Sequence, residues 1–192
     1  MGRTRNIAVI VGSLRSGSFS RGVARALAEL APAGLELEIA EIGDLGFYNQ
    51  DLDANPPAEW VAFRDRIRAA DGVIFVTPEY NRSVPGVLKN AIDIGSRPYG
   101  ASVWDGKPAG VVSVTPGGLG AFGANHHLRQ SLMFLNMPTL QKPEAYLSNI
   151  AAEFADGELT GEKTREFAKA YIAAYAGWVE KLAPEDVKAL AA

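Results

Sequence analysis

A chain of 192 residues, 47% hydrophobic and 21% charged, is long enough for one domain with a sizeable core and too apolar to be disordered. A net charge of −3 argues against a general nucleic-acid binder or a polybasic membrane binder, and the absence of cysteine excludes disulfides, cysteine–zinc sites, iron–sulfur clusters and thiol catalysis. The longest uncharged apolar runs, 7–13 and 73–78, fall far short of the roughly 20 residues of a membrane span. Residues 1–5 lack the apolar region of a signal peptide, and Asn6 stands where a myristoylation signal after Gly2 wants Ser or Thr. A cytoplasmic protein is expected.

In chain order, residues 6–11 (Asn-Ile-Ala-Val-Ile-Val) form a near-continuous apolar run, the pattern of a strand covered on both faces. The turn that follows, 12–20, reads Gly-Ser-Leu-Arg-Ser-Gly-Ser-Phe-Ser and opens a helix over 19–30 with Phe19, Val23, Leu27 and Leu30 on one stripe. Four serines, two glycines and Arg15 at a helix N-terminus suit a phosphate monoester, which needs free N–H groups, hydroxyl donors and the positive helix end. The alternative is a serine-rich helix cap. Neither Gly-x-x-x-x-Gly-Lys-Ser/Thr nor Gly-x-Gly-x-x-Gly is present.

Leu35, Leu37 and Ile39 alternate with Glu36 and Glu38, as in an edge strand with one wet face. A helix is predicted over 57–70, starting with Pro57 and burying Trp60, Phe63 and Ile67. A second buried strand over 73–77 is stopped by Pro78, and Glu79, Tyr80 and Asn81 follow before Pro85 restarts a helix over 85–95 carrying Leu88, Ala91 and Ile92. A planar heterocycle could lie on this turn, with its polar edge on backbone N–H groups and the Asn81 amide; a plain strand–turn–helix with a buried Tyr fits as well. A buried strand over 109–115 leads into the glycine-rich loop 115–123, which includes Thr115, Pro116, Gly117 and Gly118. Helices are predicted over 125–135 and 161–182, with a short fifth strand at 138–141. His126 and His127 are adjacent, and neighbours on a helix point apart, so no metal site is expected. Trp60, Trp104 and Trp178 are assigned to core or interface.

Strands alternating with helices over 1–192 predict one α/β domain: a doubly wound, five-stranded parallel sheet of flavodoxin-like order 2-1-3-4-5 with helices on both faces. In such sheets ligands bind beyond the carboxyl ends of the strands at the switch in strand order, which directs attention to the loops after strands one, three and four.

Two of those loops carry a resemblance. Gly12-Ser13-Leu14-Arg15-x-Gly17-Ser18-Phe19 and Pro78-Glu79-Tyr80-Asn81-x-Ser83-Val84-Pro85-Gly86-x-Leu88-Lys89-Asn90-Ala91-Ile92-Asp93 are similar to the NADPH-dependent FMN reductase family, especially its bacterial chromate- and quinone-reducing members. The resemblance runs from Asn6 to about Glu144. It implies bound FMN, NADPH or NADH as co-substrate, and two-electron transfer to a small-molecule acceptor such as a quinone, free flavin, chromate or an azo compound. It also implies a homodimer or homotetramer, with the helix 88–97 resembling the family's subunit contact. Carried over by position, Ser13, Arg15, Ser18, Phe19 and Ser20 would hold the phosphate, and Pro78, Glu79, Tyr80 and Asn81 would line the isoalloxazine. Thr115, Pro116, Gly117 and Gly118 would approach its ring. Position 20, commonly Asn in the family, is Ser here, and Thr115-Pro116 and Ala124-Asn125 depart from the usual fourth-loop pattern. Hydride chemistry on a flavin requires no catalytic side chain, and none is assigned. Ping-pong turnover is expected, with Arg82 and Arg15 as candidates for the extra phosphate of NADPH. The alternatives are a flavodoxin-type electron carrier and a non-enzymatic FMN-binding protein.

Overall fold

The computed structural model describes residues 3–182, so the readings of Met1 and Gly2 lie outside the described residues. Strand β1 (Arg5–Val11) is followed by α1 (Phe19–Glu29), β2 (Leu35–Ile39), α2 (Ala58–Ala69), β3 (Gly72–Thr77), α3 (Gly86–Gly95), β4 (Ala109–Val114), α4 (Phe122–Phe134) and β5 (Ala145–Leu147). A hairpin of β6 (Phe154–Ala155) and β7 (Glu158–Leu159) precedes α5 (Glu162–Leu182). The five long-range strands pair in parallel in the order β2-β1-β3-β4-β5. That is the flavodoxin-like order expected from the sequence.

Side-chain alternation along β1 divides the core. Ile7, Val9 and Val11 pack with Val23 and Leu27 of α1 and with Tyr171, Ile172, Tyr175 and Val179 of α5. Ala8 and Ile10 face the opposite way, into Trp60, Phe63 and Ile67 of α2, Leu88 and Ile92 of α3, and Leu128 and Leu132 of α4. β3 and β4 are buried along their whole length. Their unbroken apolar sequences therefore reflect helices on both faces. Trp60 and Trp104 are core residues, whereas Trp178 is partly buried and donates from Nε1 to Pro138 O at 2.9 Å.

The fifth strand is displaced from its predicted place. Within 138–141 only Thr139 bridges Ala109; the strand itself is Ala145–Leu147, in register with Val112–Val114. Pro138 and Pro143 flank the interruption, and a proline has no N–H to give a ladder. Helix α4 starts at Phe122, three residues before its predicted start, because a contact from β3's loop supplies its cap. The β6–β7 hairpin was not anticipated, although its turn, Asp156-Gly157, has both φ values positive (50° and 82°) and is the residue pair such turns prefer. The hairpin seats Phe154 edge-on against Phe19, with ring centroids 5.1 Å apart. A Cβ at Gly22 would collide with the Phe154 ring.

Candidate functional site

The parallel pairing brings the carboxyl ends of β1, β3 and β4 side by side. With strands about 4.8 Å apart, three loops meet within a span of about 10 Å. Gly12 N donates to Val76 O at 2.9 Å, and a Cβ at Gly12 would lie 3.1–3.3 Å from Leu88, Pro78 and Thr77, so the first loop runs tightly against the third.

The first loop is a row of donors without acceptors. Among the described residues, no acceptor takes a backbone N–H from residues 13–20. A helix leaves its first N–H groups unpaired, and the turn ahead of α1 adds more of them facing the same end. Ser18 is the N-cap of α1, its Oγ accepting from Arg21 N at 3.2 Å. Its own O–H is left to donate. The hydroxyls of Ser13 and Ser20, both buried residues, find no partner among the described residues. Arg15 is exposed, with one contact of 3.4 Å to Gly17 O. Arg21 is committed elsewhere: it holds Glu41 in a two-point pair at 2.7 Å per bond, which raises the arginine and lowers the glutamate from their ordinary pKa values. Arg15 is therefore the cation left to an incoming anion. Phe19 turns its ring toward Phe154 and adds only its backbone N–H.

After β3, Tyr80 and Ser83 exchange two backbone bonds of 3.1 and 3.0 Å around Asn81 (φ 51°) and Arg82 (φ 62°). Two positive φ values in a four-residue turn define type I′, which Asn tolerates and Arg does not favour. Backbone held in this region persists where the surroundings over-determine it, and it clusters at binding sites. The turn leaves the N–H groups of Glu79, Asn81 and Arg82 and the Asn81 carboxamide without partners among the described residues. Tyr80 stands 51% exposed beside them.

Glu79 points away from this surface. Its Oε2 accepts the Ala124 N–H at 3.0 Å, in the first turn of α4, while Oε1 accepts from Arg82 at 3.2 Å. The carboxylate, 12% exposed, thus caps a helix that its own strand does not lead into. Gly123 lets the elements meet, since a Cβ there would lie 2.7 Å from Arg82 O. On the fourth loop, Thr115 Oγ1 accepts from Gly117 N at 3.1 Å, and Thr115 N donates to Leu147 O. Pro116, Gly117 and Gly118 are exposed, and the N–H groups of Gly118, Leu119, Gly120 and Ala121 have no acceptor among the described residues. The predicted residues therefore gather at one end of the sheet, but the Phe19 ring and the Glu79 carboxylate are turned to structural contacts.

Three features were missed from sequence. Asn90 of α3 clasps the loop after β2, accepting from Tyr48 N at 2.9 Å and donating to Gly46 O at 2.9 Å and Leu45 O at 3.3 Å. That loop reaches the first one at Leu14, 3.5 Å from a Cβ built on Gly43. Ser83 Oγ lies 2.9 Å from His127 Nδ1. His126 turns the other way, its Nε2 3.0 Å from the Tyr146 hydroxyl, which donates to Glu144 and is pushed up to about 12 by burial and then by that bond. Apart from the local Tyr146–Glu144 bond, these contacts have no sequence signal, because they join residues at least twenty positions apart. Among the described residues no cluster of His, Asp and Glu could hold a metal ion, and no helix is long and apolar enough to cross a membrane.

A profile of the family described as NADPH-dependent FMN reductase matches residues 5–152. The chain is 59% identical over 181 residues to the quinone reductase of Pseudomonas putida strain KT2440, covering 94% of this chain and 97% of that protein. It is 44% identical over 174 residues to a 2-hydroxy-1,4-benzoquinone reductase of a Burkholderia species, covering 90% and 95%. Among solved structures it is similar to FerB, a flavoenzyme NAD(P)H:(acceptor) oxidoreductase from Paracoccus denitrificans, with a TM-score of 0.88 and 41% identity over 94% of this chain and all of that one.

Proposed function

The chain belongs to the NADPH-dependent FMN reductase family, and from that membership we propose that it is an FMN-dependent oxidoreductase carrying two electrons from NAD(P)H to quinones. The observation that carries this reading is the unbroken row of unpaired N–H groups over residues 13–20, with free serine hydroxyls and Arg15 beside it. Such a cradle fits the phosphate monoester at the end of FMN. FMN held there would supply the two-electron redox chemistry between nicotinamide and acceptor.

The residues of this chain hold and orient. Ser13, Arg15, Ser18 and Ser20 bind the phosphate, joined by the N–H of Phe19. Pro78 and Tyr80 give the ring apolar surface, and the N–H groups of Glu79, Asn81 and Arg82 meet its polar edge. The loop from Thr115 and Pro116 through Gly117 and Gly118 to Ala121 brings further N–H donors, which favour negative charge arriving on the ring. The nicotinamide and then the acceptor occupy one place in turn, giving ping-pong kinetics. Arg82, 70% exposed, takes the extra phosphate of NADPH.

The reading further includes one FMN-binding domain over 1–192, a cytoplasmic location and a homodimer or homotetramer. The exposed apolar side chains of Met133 and Phe134 on α4 support assembly. The test is uptake of FMN by the purified apoprotein followed by anaerobic NADPH. Loss of the oxidised-flavin absorbance supports the proposal, and no uptake refutes it.

A further inference from the structure

Reduction of a quinone to a hydroquinone takes up two electrons and two protons. Hydride from NAD(P)H accounts for both electrons and one proton, so a second proton must reach the other quinone oxygen. We propose that His127, acting through the Ser83 hydroxyl, supplies that proton at the turn 80–83. This rests on the quinone-reductase reading above.

The chain has two histidines, and imidazole is the side chain whose ordinary titration falls near neutrality. His126 is turned to Tyr146. His127 instead reaches Ser83, whose backbone is tied by two bonds to Tyr80. Ser83 therefore links an imidazole on α4 to the turn proposed to border the ring. A hydroxyl both accepts and donates, as a relay requires. The His127 side chain borders a groove of about 710 Å³ between α3 and α4 that also carries Lys89, Asp93 and Arg97. Lys89 and Asp93 are paired at 2.8 Å. Arg82, adjoining Ser83, is held by Glu79. His127 is itself an exposed residue of the single chain, so water can restore its proton.

The step balances. With His127 as the imidazolium, its Nδ1–H bond breaks as that proton passes to Ser83 Oγ and leaves a neutral imidazole, while the Ser83 hydroxyl proton forms the new O–H bond on the quinone. Both electrons come from the hydride, Ser83 ends as it began, and His127 is reprotonated from water.

The experiment compares FMN-loaded wild type, His127→Gln and Ser83→Ala, with NADPH as donor and either duroquinone or ferricyanide as acceptor. Ferricyanide takes single electrons and no proton. We expect duroquinone turnover to fall about tenfold or more in both variants, with ferricyanide turnover within about twofold of wild type. The pH dependence of the duroquinone rate should flatten in His127→Gln. A second readout needs no turnover: in oxidised protein, duroquinone should shift the His127 imidazole 15N signals in wild type and leave them in place in Ser83→Ala. Equal losses with both acceptors would make the pair a mere clamp, and unchanged duroquinone rates would dismiss it; either overturns the proposal. Wild type inert toward both acceptors would overturn the oxidoreductase reading, and this one with it.

Discussion

The Glu79 carboxylate and the Ala124 N–H, 45 positions apart, are joined by a 3.0 Å bond that fastens the turn after β3 to the first turn of α4. The same carboxylate holds Arg82. A residue that looks in sequence like part of a ring-binding surface thus ties two site loops together. Glu79→Ala removes the cap and should cost about 1–2 kcal/mol in urea unfolding, with weaker FMN binding. Glu79→Gln, which keeps an acceptor, should lose less than half as much. Equal effects of the two would contradict a capping role.

Gly123 is the contact point of the same junction. In Gly123→Ala the new methyl would press on Arg82 O and the Glu79 carboxylate. We expect a loss of about 1–3 kcal/mol and a further drop in FMN affinity, read by denaturation and flavin titration. Gly118→Ala meets nothing within 4 Å and serves as the control for folding stability.

Arg82 holds a positive φ that glycine adopts freely. Arg82→Gly relieves that strain and gives up one ion pair, whose arginine is 70% exposed and whose glutamate keeps the Ala124 N–H. Its folded state should match or exceed wild type by up to about 1 kcal/mol. KM for NADPH should rise in the variant while KM for NADH holds. A parallel rise in both would remove Arg82 from recognition of the extra phosphate.

Arg15→Ala tests the phosphate cradle. Loss of a charge-assisted contact should weaken FMN about ten- to a hundredfold and leave riboflavin, which has no phosphate, unchanged in titration calorimetry. Equal weakening of both ligands would place the anion elsewhere.

The pH dependence of stability has two limbs. Glu41 is held below its ordinary range by Arg21, so its contribution is present above that range and is lost as pH falls through the lowered value. Tyr146, Tyr171 and Tyr175 are raised by burial. Their contribution is complete below the ordinary value of 10.0 and is lost above it, through about 12 for Tyr146. Lys107, lowered by burial, acts oppositely on the alkaline side, but it is one group against four, since burial raises Tyr48 as well. Urea unfolding across pH should show a plateau near neutrality with an alkaline decline. Tyr171→Phe, which removes the Tyr171 share, should make that decline shallower.

Most of the fold was legible because its causes are local. β1, β3 and β4 announce themselves by apolar runs that only a sheet covered on both faces produces, and Glu36 and Glu38 mark β2 as the edge. The serine turn was legible for the same reason, since its chemistry lies within eight consecutive residues. The position of β5 was not, because it depends on which stretch after Pro138 finds the free edge of β4. Arg82 in a type I′ turn gave no signal, since arginine has no preference for that conformation. Nor did Glu79, whose side chain is drawn from the predicted surface by an N–H that tertiary structure brings to it.

Anaerobic stopped-flow of the FMN-loaded protein against NADPH tests the central claim most directly. The account predicts that the oxidised-flavin absorbance disappears in one turnover and returns when a quinone is added. A protein that binds FMN yet keeps it oxidised under NADPH, or that binds none, would contradict it.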